Sequence, residues 1–314
     1  MEKQLPLVVG KGGISAKILA DSVSYYTGDR LTTFELEYPR FIHSEVMTHR
    51  MLSKNAASTR AIPVSRAIEQ VQSNPAMPIH WGQNNRGMKS NNELTGVQLE
   101  AAKSSWRAAL DAIISYVKVM SDPKGINGHK QWVGRWLETA TTIKVVFTGT
   151  EFANLYWLRD HEDAQPEFHE LARVMRQAQA ESKPETLSGG DWHLPYITVD
   201  GGRYYAGGVE LENLEVARRV SVSCCAQVSY RRSDESVDKA DEIIEMLNLG
   251  QPGKKAHASP TEHQGTPIIT APGVFDPARW DPGVTHIDRD GSLWSGNLRG
   301  WVQHRQLIPY NAVH

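Results

Sequence analysis

Alternation between apolar and polar positions is clearest over 31–42, L-T-T-F-E-L-E-Y-P-R-F-I. Phe34, Leu36 and Tyr38 alternate with Thr33, Glu35 and Glu37, which predicts a half-buried strand. Pro39 lacks the N–H that a ladder needs and breaks it. Upstream, residues 14–27 read as a first strand or short helix, closed by a turn at Gly28-Asp29. Residues 67–95, rich in Asn, Gly and Pro, read as a long loop around a short helix.

The period then changes. From Leu99 to Met120, Trp106, Leu110, Ile113, Ile114, Val117 and Met120 fall on one face, so an amphipathic helix is expected to bury that face. Ile143–Phe147 reads as a β-branched strand or buried connection, and Thr150–Arg159 as a helix. Asp163 as a cap and Pro166 in the first turn predict another helix, with Phe168, Leu171, Ala172 and Met175 inward. Residues 183–215 read as loop. Val220–Tyr230 reads as a strand or a tight helix–strand piece. Ser236 caps a helix whose Val237, Ala240, Ile243, Ile244 and Leu247 face the core, and Gly250 stops it. Residues 264–291 read as Pro/Gly/Asp-rich coil before a closing strand within 292–306, and no repeat of solenoid period is present.

Composition narrows the function classes. With 40% hydrophobic and 22% charged residues the chain is ordinary for a globular protein. A net charge of −2 gives no general pull toward nucleic acid or anionic membrane, so an anionic ligand must be held by local arginines. No apolar run reaches membrane-spanning length, and the first ten residues lack a signal-peptide pattern. Cys224 and Cys225 are adjacent, which disfavours a bridge and offers no metal-ligand spacing; a reducing cytoplasm fits. His129, His161 and His193 are scattered and read as satisfied histidines, not metal ligands. Neither a G-x-G-x-x-G fingerprint nor a P-loop is present, which disfavours a Rossmann dehydrogenase.

The candidate chemistry gathers at His43–Arg66, which packs His49, Arg50, Ser53, Asn55, Ser58, Thr59, Arg60 and Arg66 into a short span. Ser58-Thr59-Arg60 offers hydroxyls, backbone N–H groups and a guanidinium, the groups that hold a phosphate. If the segment is helical, His49 and Arg50 lie two to three turns earlier. A solvated basic helix start with a capping serine explains the same residues.

The spacing His49-Arg50, seven residues, then Ser58, with Ser53 and Asn55 inside the gap, resembles the Arg-His-Arg-x7-Ser signature of flavin-dependent thymidylate synthases. Further blocks of that family are present in rotated order. Ala226-Gln227-Val228-Ser229-Tyr230, the helix after Ser236 and His257-x-Ser259-Pro260-x-Glu262-His263 lie C-terminal to the signature and to Ala164-Gln165-Pro166-Glu167. The chain thus looks like a circular permutation, or a branch with rearranged ends. The resemblance implies an α/β (α+β) fold, a helix-flanked mixed or antiparallel sheet, forming one catalytic domain over 1–314. It implies a homotetramer with flavin sites shared between subunits, FAD as cofactor, and methylenetetrahydrofolate and NADPH as co-substrates. Carried over residue by residue, Ser58, Thr59 and Arg60 would hold the nucleotide phosphate. Arg159 would bind and polarise the pyrimidine, with Arg135 near the nucleotide. His49, Arg50, Asn55, Asn154, His257, Ser259 and Glu262 would line the flavin.

Four departures bear on the pocket. Thr48 stands for the first Arg of the signature, Glu45 for a Gln, and Thr148 and Thr150 for a common Asn and Arg. Gly300–Arg305 either supplies replacement cationic and aromatic groups or is a plain closing strand. The two cysteines lack an adjacent base and suit a structural role better than attack on the ring. The expected activity is C5 methylation of dUMP to dTMP, a methyltransferase reaction of the thymidylate synthase type. The alternatives are a dUMP or dCMP C5-hydroxymethylase and a non-catalytic flavin- or nucleotide-binding protein.

Overall fold

The alternation at 31–42 does form a strand, and that strand lies at the centre of the principal sheet. The structure is a computed structural model that describes residues 5–230 and 232–312; the first four residues of the expected leader-free start lie outside them. The chain begins with β1 (Leu7–Val9), β2 (Ser15–Ser24) and β3 (Arg30–Pro39). A short helix α1 (His43–Val46) and an irregular turn lead to β4 (Ser53–Ala56). Then come α2 (Val64–Ser73), α3 (Gly96–Ser121), α4 (Lys130–Val133), β5 (Thr142–Gly149), α5 (Ala153–Arg159), α6 (Pro166–Glu181) and β6 (Glu185–Leu187). A meander of β7 (Thr198–Asp200), β8 (Arg203–Ala206) and β9 (Val209–Leu211) precedes α7 (Leu214–Ala226) and α8 (Val237–Leu247). Short strands follow: β10 (Gly265–Pro267), β11 (His286–Ile287), β12 (Leu293–Ser295), β13 (Leu298–Arg299) and β14 (Trp301–Gln303).

The principal sheet runs β1-β2-β3-β5-β4. Its neighbours pair antiparallel, and β6 adds to β2 in parallel, so the sheet is mixed as expected. Side chains alternate across a strand. Register pairs Phe34 with Phe147, Leu36 with Val145 and Tyr38 with Ile143, and these go to one face. There they meet Phe168, Leu171, Ala172, Val174, Met175 and Ala178 of α6, all fully buried. At roughly 1.5–3 kcal/mol per large buried side chain, this contact outweighs any helix propensity in α6. The other face carries Thr33, Thr148 and Val146, and Val146 packs with Leu19, Cys225 and Val228. The sheet is thus sandwiched between α6 and a layer built around α7.

The amphipathic helix forms as α3, with Leu110, Ile114 and Val117 buried against α2 and the 133–140 segment. Several expectations change. Residues 43–66 are not one helix: α1 spans four residues, and Ser53 and Asn55 lie on β4 because β5 offers a ladder for that segment. The helix in 67–95 begins earlier, at Val64. Asp163 does not cap α6; its carboxylate is taken by Lys89 at 2.8 Å, and Gln165 precedes Pro166 at the helix start. Val220–Tyr230 is no strand. Ala217, Val220 and Cys224 sit at helical spacing against Ala240 of α8, and Asn213 caps the start by accepting from Val216 N, so packing overrides the β-branched valines. The end of the chain is a short β11-β12-β13 meander and a separate β10-β14 pair, not one closing strand. Among the described residues no helix is long and apolar enough to cross a membrane.

Candidate functional site

Strand β4 sits at the sheet edge and splits its side chains between the two layers. Lys54 points to the α6 side, its Nζ 5.3 Å from the Phe147 ring centroid. Ser53 and Asn55 point to the α7 side. Asn55 donates to the carbonyl of Cys225, and Ser259 Oγ donates to Asn55 Oδ1 at 3.3 Å. Three residues on, the backbone N–H of Ser58 donates to Ser229 Oγ at 3.0 Å. The blocks that the sequence separates by about two hundred residues therefore meet at one sheet edge. Ser53 is buried among Asn297 and Gln303: Asn297 Nδ2 donates to Ser53 Oγ at 3.0 Å, and Gln303 Nε2 donates to Asn297 Oδ1 at 2.9 Å and to the Glu262 carbonyl at 3.2 Å.

A second group lies on the α6 side. Arg159, at the end of α5, donates through Nε to His49 Nε2 at 3.1 Å. Its guanidinium carbon is 4.7 Å from the Phe168 ring, and Glu45 Oε2 is 3.7 Å from its terminal nitrogen. Burial, with the Arg159 and Lys54 cations beside it, pushes the His49 imidazole down to about 4. His49 is therefore neutral at neutral pH, as an acceptor from a guanidinium must be. Arg159 and Glu45 line a groove of about 1960 Å³ that also takes in Lys11, His80, His169 and Arg173.

A third group surrounds a carboxylate. Thr59 Oγ1 and Arg135 both donate to Glu138 Oε1, each at 2.8 Å. Arg40 lies close enough to Glu138 for their charges to couple, and its guanidinium donates to the Ala57 carbonyl at 3.0 Å. Arg50, Arg60, Asn154 and His257 are exposed, and none of their side chains makes a hydrogen bond or ion pair among the described residues.

Residues 31–185 match the family described as thymidylate synthase complementing protein. That span is just under half of the chain. No curated protein matches the chain. Among solved structures, it is similar to a UMP/dUMP methylase PolB from Streptomyces cacaoi bound with 5-Br dUMP, at 20% identity, over 48% of this chain and 67% of that one, with a TM-score of 0.38. The same protein bound with 5-Br UMP gives 15% identity over 57% and 92%, with a TM-score of 0.41. Both are distant likenesses.

The two cysteines are buried, free and raised in pKa by burial, so neither thiol is ionised. His193 is a satisfied histidine, as expected. Ser22 Oγ bonds its Nδ1 at 2.9 Å and Thr33 Oγ1 its Nε2 at 2.8 Å. The row continues through Thr148 Oγ1 to His263 Nδ1, both steps at 2.8 Å. Thr148, one of the departures, is thus a link in a buried polar row. Thr150 Oγ1 accepts from the Arg299 N–H at 3.2 Å. Thr48 caps locally onto the Glu45 carbonyl at 2.6 Å.

Gly300–Arg305 includes a short closing strand, β14, which pairs antiparallel with β10 and buries Trp301, while Arg305 forms an ion pair with Glu262. Arg40, Lys54, Glu138, Ser229, Asn297 and Gln303 were not singled out as site residues in the sequence. Only Glu138, three residues after Arg135 in a helical run, carried a local signal. A flavin is implied by the family, and the residues fit it in kind. Arg50 is an exposed cation without a side-chain partner among the described residues, which suits a phosphate, and Asn154, His257 and Ser259 offer amide, imidazole and hydroxyl groups.

Proposed function

We propose that the protein is a flavin-dependent enzyme that transfers a one-carbon unit to C5 of a pyrimidine deoxynucleotide, most simply dUMP to dTMP. The methylene comes from methylenetetrahydrofolate, and NADPH is the reductant. The observation that carries this reading is the Arg159–His49 pair inside the family segment. A neutral imidazole holds one edge of the guanidinium and leaves its charge to the groove. A guanidinium set against the ring carbonyls stabilises the enolate-like charge that develops as C5 attacks. The buried, protonated cysteines supply no nucleophile for C6, so activation falls to Arg159. Ser58, Thr59 and Arg60 are the donors proposed for the nucleotide phosphate, with Arg135 near the nucleotide and Arg40 beside it. His49, Arg50, Asn55, Asn154, His257, Ser259 and Glu262 are those proposed for FAD, in a homotetramer whose subunits share the sites. Bound flavin supplies the hydride that turns the transferred methylene into methyl.

Glu45 favours a second reading. Its carboxylate lies 3.7 Å from Arg159, where an acceptor suits a cytosine amino group and an added charge suits water. That would make the product a hydroxymethyl pyrimidine. The test is the product mass from dUMP, and separately from dCMP, with methylenetetrahydrofolate, flavin and NADPH. A methyl product on dUMP supports the synthase. A hydroxymethyl product moves the assignment to the hydroxymethylase, and bound flavin with no product leaves a binding protein.

A further inference from the structure

Five side chains under α7 form one unbroken row: Ser22 on β2, His193, Thr33 on β3, Thr148 on β5 and His263. The most exposed of them, Ser22, is only 4% exposed. The backbone ties the same segments together. The His193 N–H donates to the Gly265 carbonyl at 2.8 Å, and the His193 carbonyl accepts from the Gly265 N–H at 3.3 Å, two residues after His263. Burial keeps both imidazoles neutral at neutral pH.

A neutral imidazole carries one N–H, and a hydroxyl one O–H. Thr33 Oγ1 and Thr148 Oγ1 are 2.8 Å apart, so one proton lies between them. If Thr33 supplies it, Thr148 gives its own proton to Nδ1 of His263, and Thr33 accepts from Nε2–H of His193. Both rings are then Nε2–H tautomers. If Thr148 supplies it, Thr33 gives its proton to Nε2 of His193, and Thr148 accepts from Nδ1–H of His263. Both rings are then Nδ1–H tautomers. A mixed pair either leaves a buried O–H without an acceptor or sets two oxygen lone pairs against each other at 2.8 Å. Among the described residues neither threonine hydroxyl has a further partner to relieve this.

We propose that Thr33 and Thr148 are positioning residues that hold His193 and His263 in one shared tautomer, which makes the row a relay of hydrogen-bond direction across three strands. Its ends decide the direction. Ser22 lines a cavity of about 70 Å³ with Asp21 and Trp192. While Ser22 donates to His193, Nε2 of His263 is a donor. A group in the cavity that takes the Ser22 proton reverses the row, and the same Nε2 becomes an acceptor. That nitrogen is buried and has no partner among the described residues. It directly follows the turn whose Ser259 reaches Asn55. The relay does not rest on the function proposed above, since Arg159 lies on the other side of the sheet.

Ring ¹⁵N spectra of the full chain, labelled in its histidines and recorded by magic-angle spinning, read the Nδ1–H fraction of each ring; His193→Gln and His263→Gln assign the signals. In the wild type, mixed pairs should stay below about one in ten, so the two fractions agree and move together with temperature. Ser22→Ala changes one end only and should shift both fractions equally. Thr148→Val removes the shared proton. The two fractions should then differ at least about threefold, and Ser22→Ala should move that of His193 alone. Thr148→Ser should restore the agreement. Unequal fractions in the wild type overturn the proposal, as does agreement that survives Thr148→Val. A row that is merely structural, with hydroxyls that turn independently, gives the first of these results. If Thr148→Val loses its fold by circular dichroism, Thr33→Val cuts the row one strand earlier, and the wild-type fractions are decisive by themselves.

Discussion

Arg159 donates through Nε to Nε2 of His49 at 3.1 Å, and both side chains lie against the ring of Phe168. One guanidinium is thereby oriented by an acceptor that does not cancel its charge. Arg159→Lys keeps a cation and loses the planar fork. Its kcat/KM on the nucleotide should fall roughly a hundred- to a thousandfold, near the loss expected for a donor that stabilises a developing oxyanion. Flavin absorbance should be retained. Turnover within about threefold of wild type would remove Arg159 from the chemistry.

Thr59 and Arg135 both donate to a single oxygen of Glu138. A phosphate that takes these donors must displace that carboxylate. Glu138→Gln removes the competing charge, and the nucleotide Kd should fall about threefold to tenfold, a change of roughly 1 kcal/mol. Calorimetric titration of dUMP into the variant checks this. Weaker binding would locate the phosphate elsewhere.

Burial pushes His193 and His263 down to about 3 and His304 to about 4, and His49 joins them at about 4, against an ordinary 6.5. The native state therefore binds fewer protons than the unfolded chain between those values. Stability is present above pH 6.5 and is lost as pH falls toward 4. Unfolding at pH 5 should take up about three to four protons more than at pH 8, with roughly 1.4 kcal/mol lost per pH unit per proton. Urea melts at pH 7, 6 and 5 read the slope, and a flat profile would contradict the buried neutral imidazoles.

Gly300 has φ +71°, and a Cβ there would lie 2.3 Å from Asp29 Oδ2 and 2.7 Å from Thr27 Oγ1. Asp29 also holds Arg299 at 3.0 Å and, through its carbonyl, Trp301 Nε1 at 3.1 Å. Gly300→Ala should cost about 2 kcal/mol, from the left-handed backbone and the displaced carboxylate together. The urea midpoint should fall without a change in slope.

Much of the layer organisation was legible in the chain. Period-two alternation located β3, and period-3.6 stripes located α3, α6 and α8, because each buries one continuous face. The Ser53–Ala56 strand was hidden, since three polar residues and an alanine at a sheet edge carry no alternation signal and depend on β5 for pairing. Helix α7 was hidden for the opposite reason: valines and cysteines favour strands locally, and only contact with α8 decides the matter. The motif resemblance singled out Arg159, His49, Asn55 and Ser259, and the fold brings them together in pairs. Glu138, Lys54 and Arg305 owe their places to partners distant in sequence, which spacing cannot show.

The strand order has a consequence for how the protein folds. Strands β2 and β3 are joined by a short turn and can pair as soon as both exist. Strand β4 has no ladder until β5 arrives, after three helices have intervened, and its closing layer comes from chain still further on. Loop closure of that length is slow and is completed only when most native contacts are in place. The edge that carries Ser53, Lys54 and Asn55 should therefore form late in refolding, and its amides should exchange with deuterium sooner than those of β3. Ligand binding there would draw its gain from tightening the least settled part of the sheet.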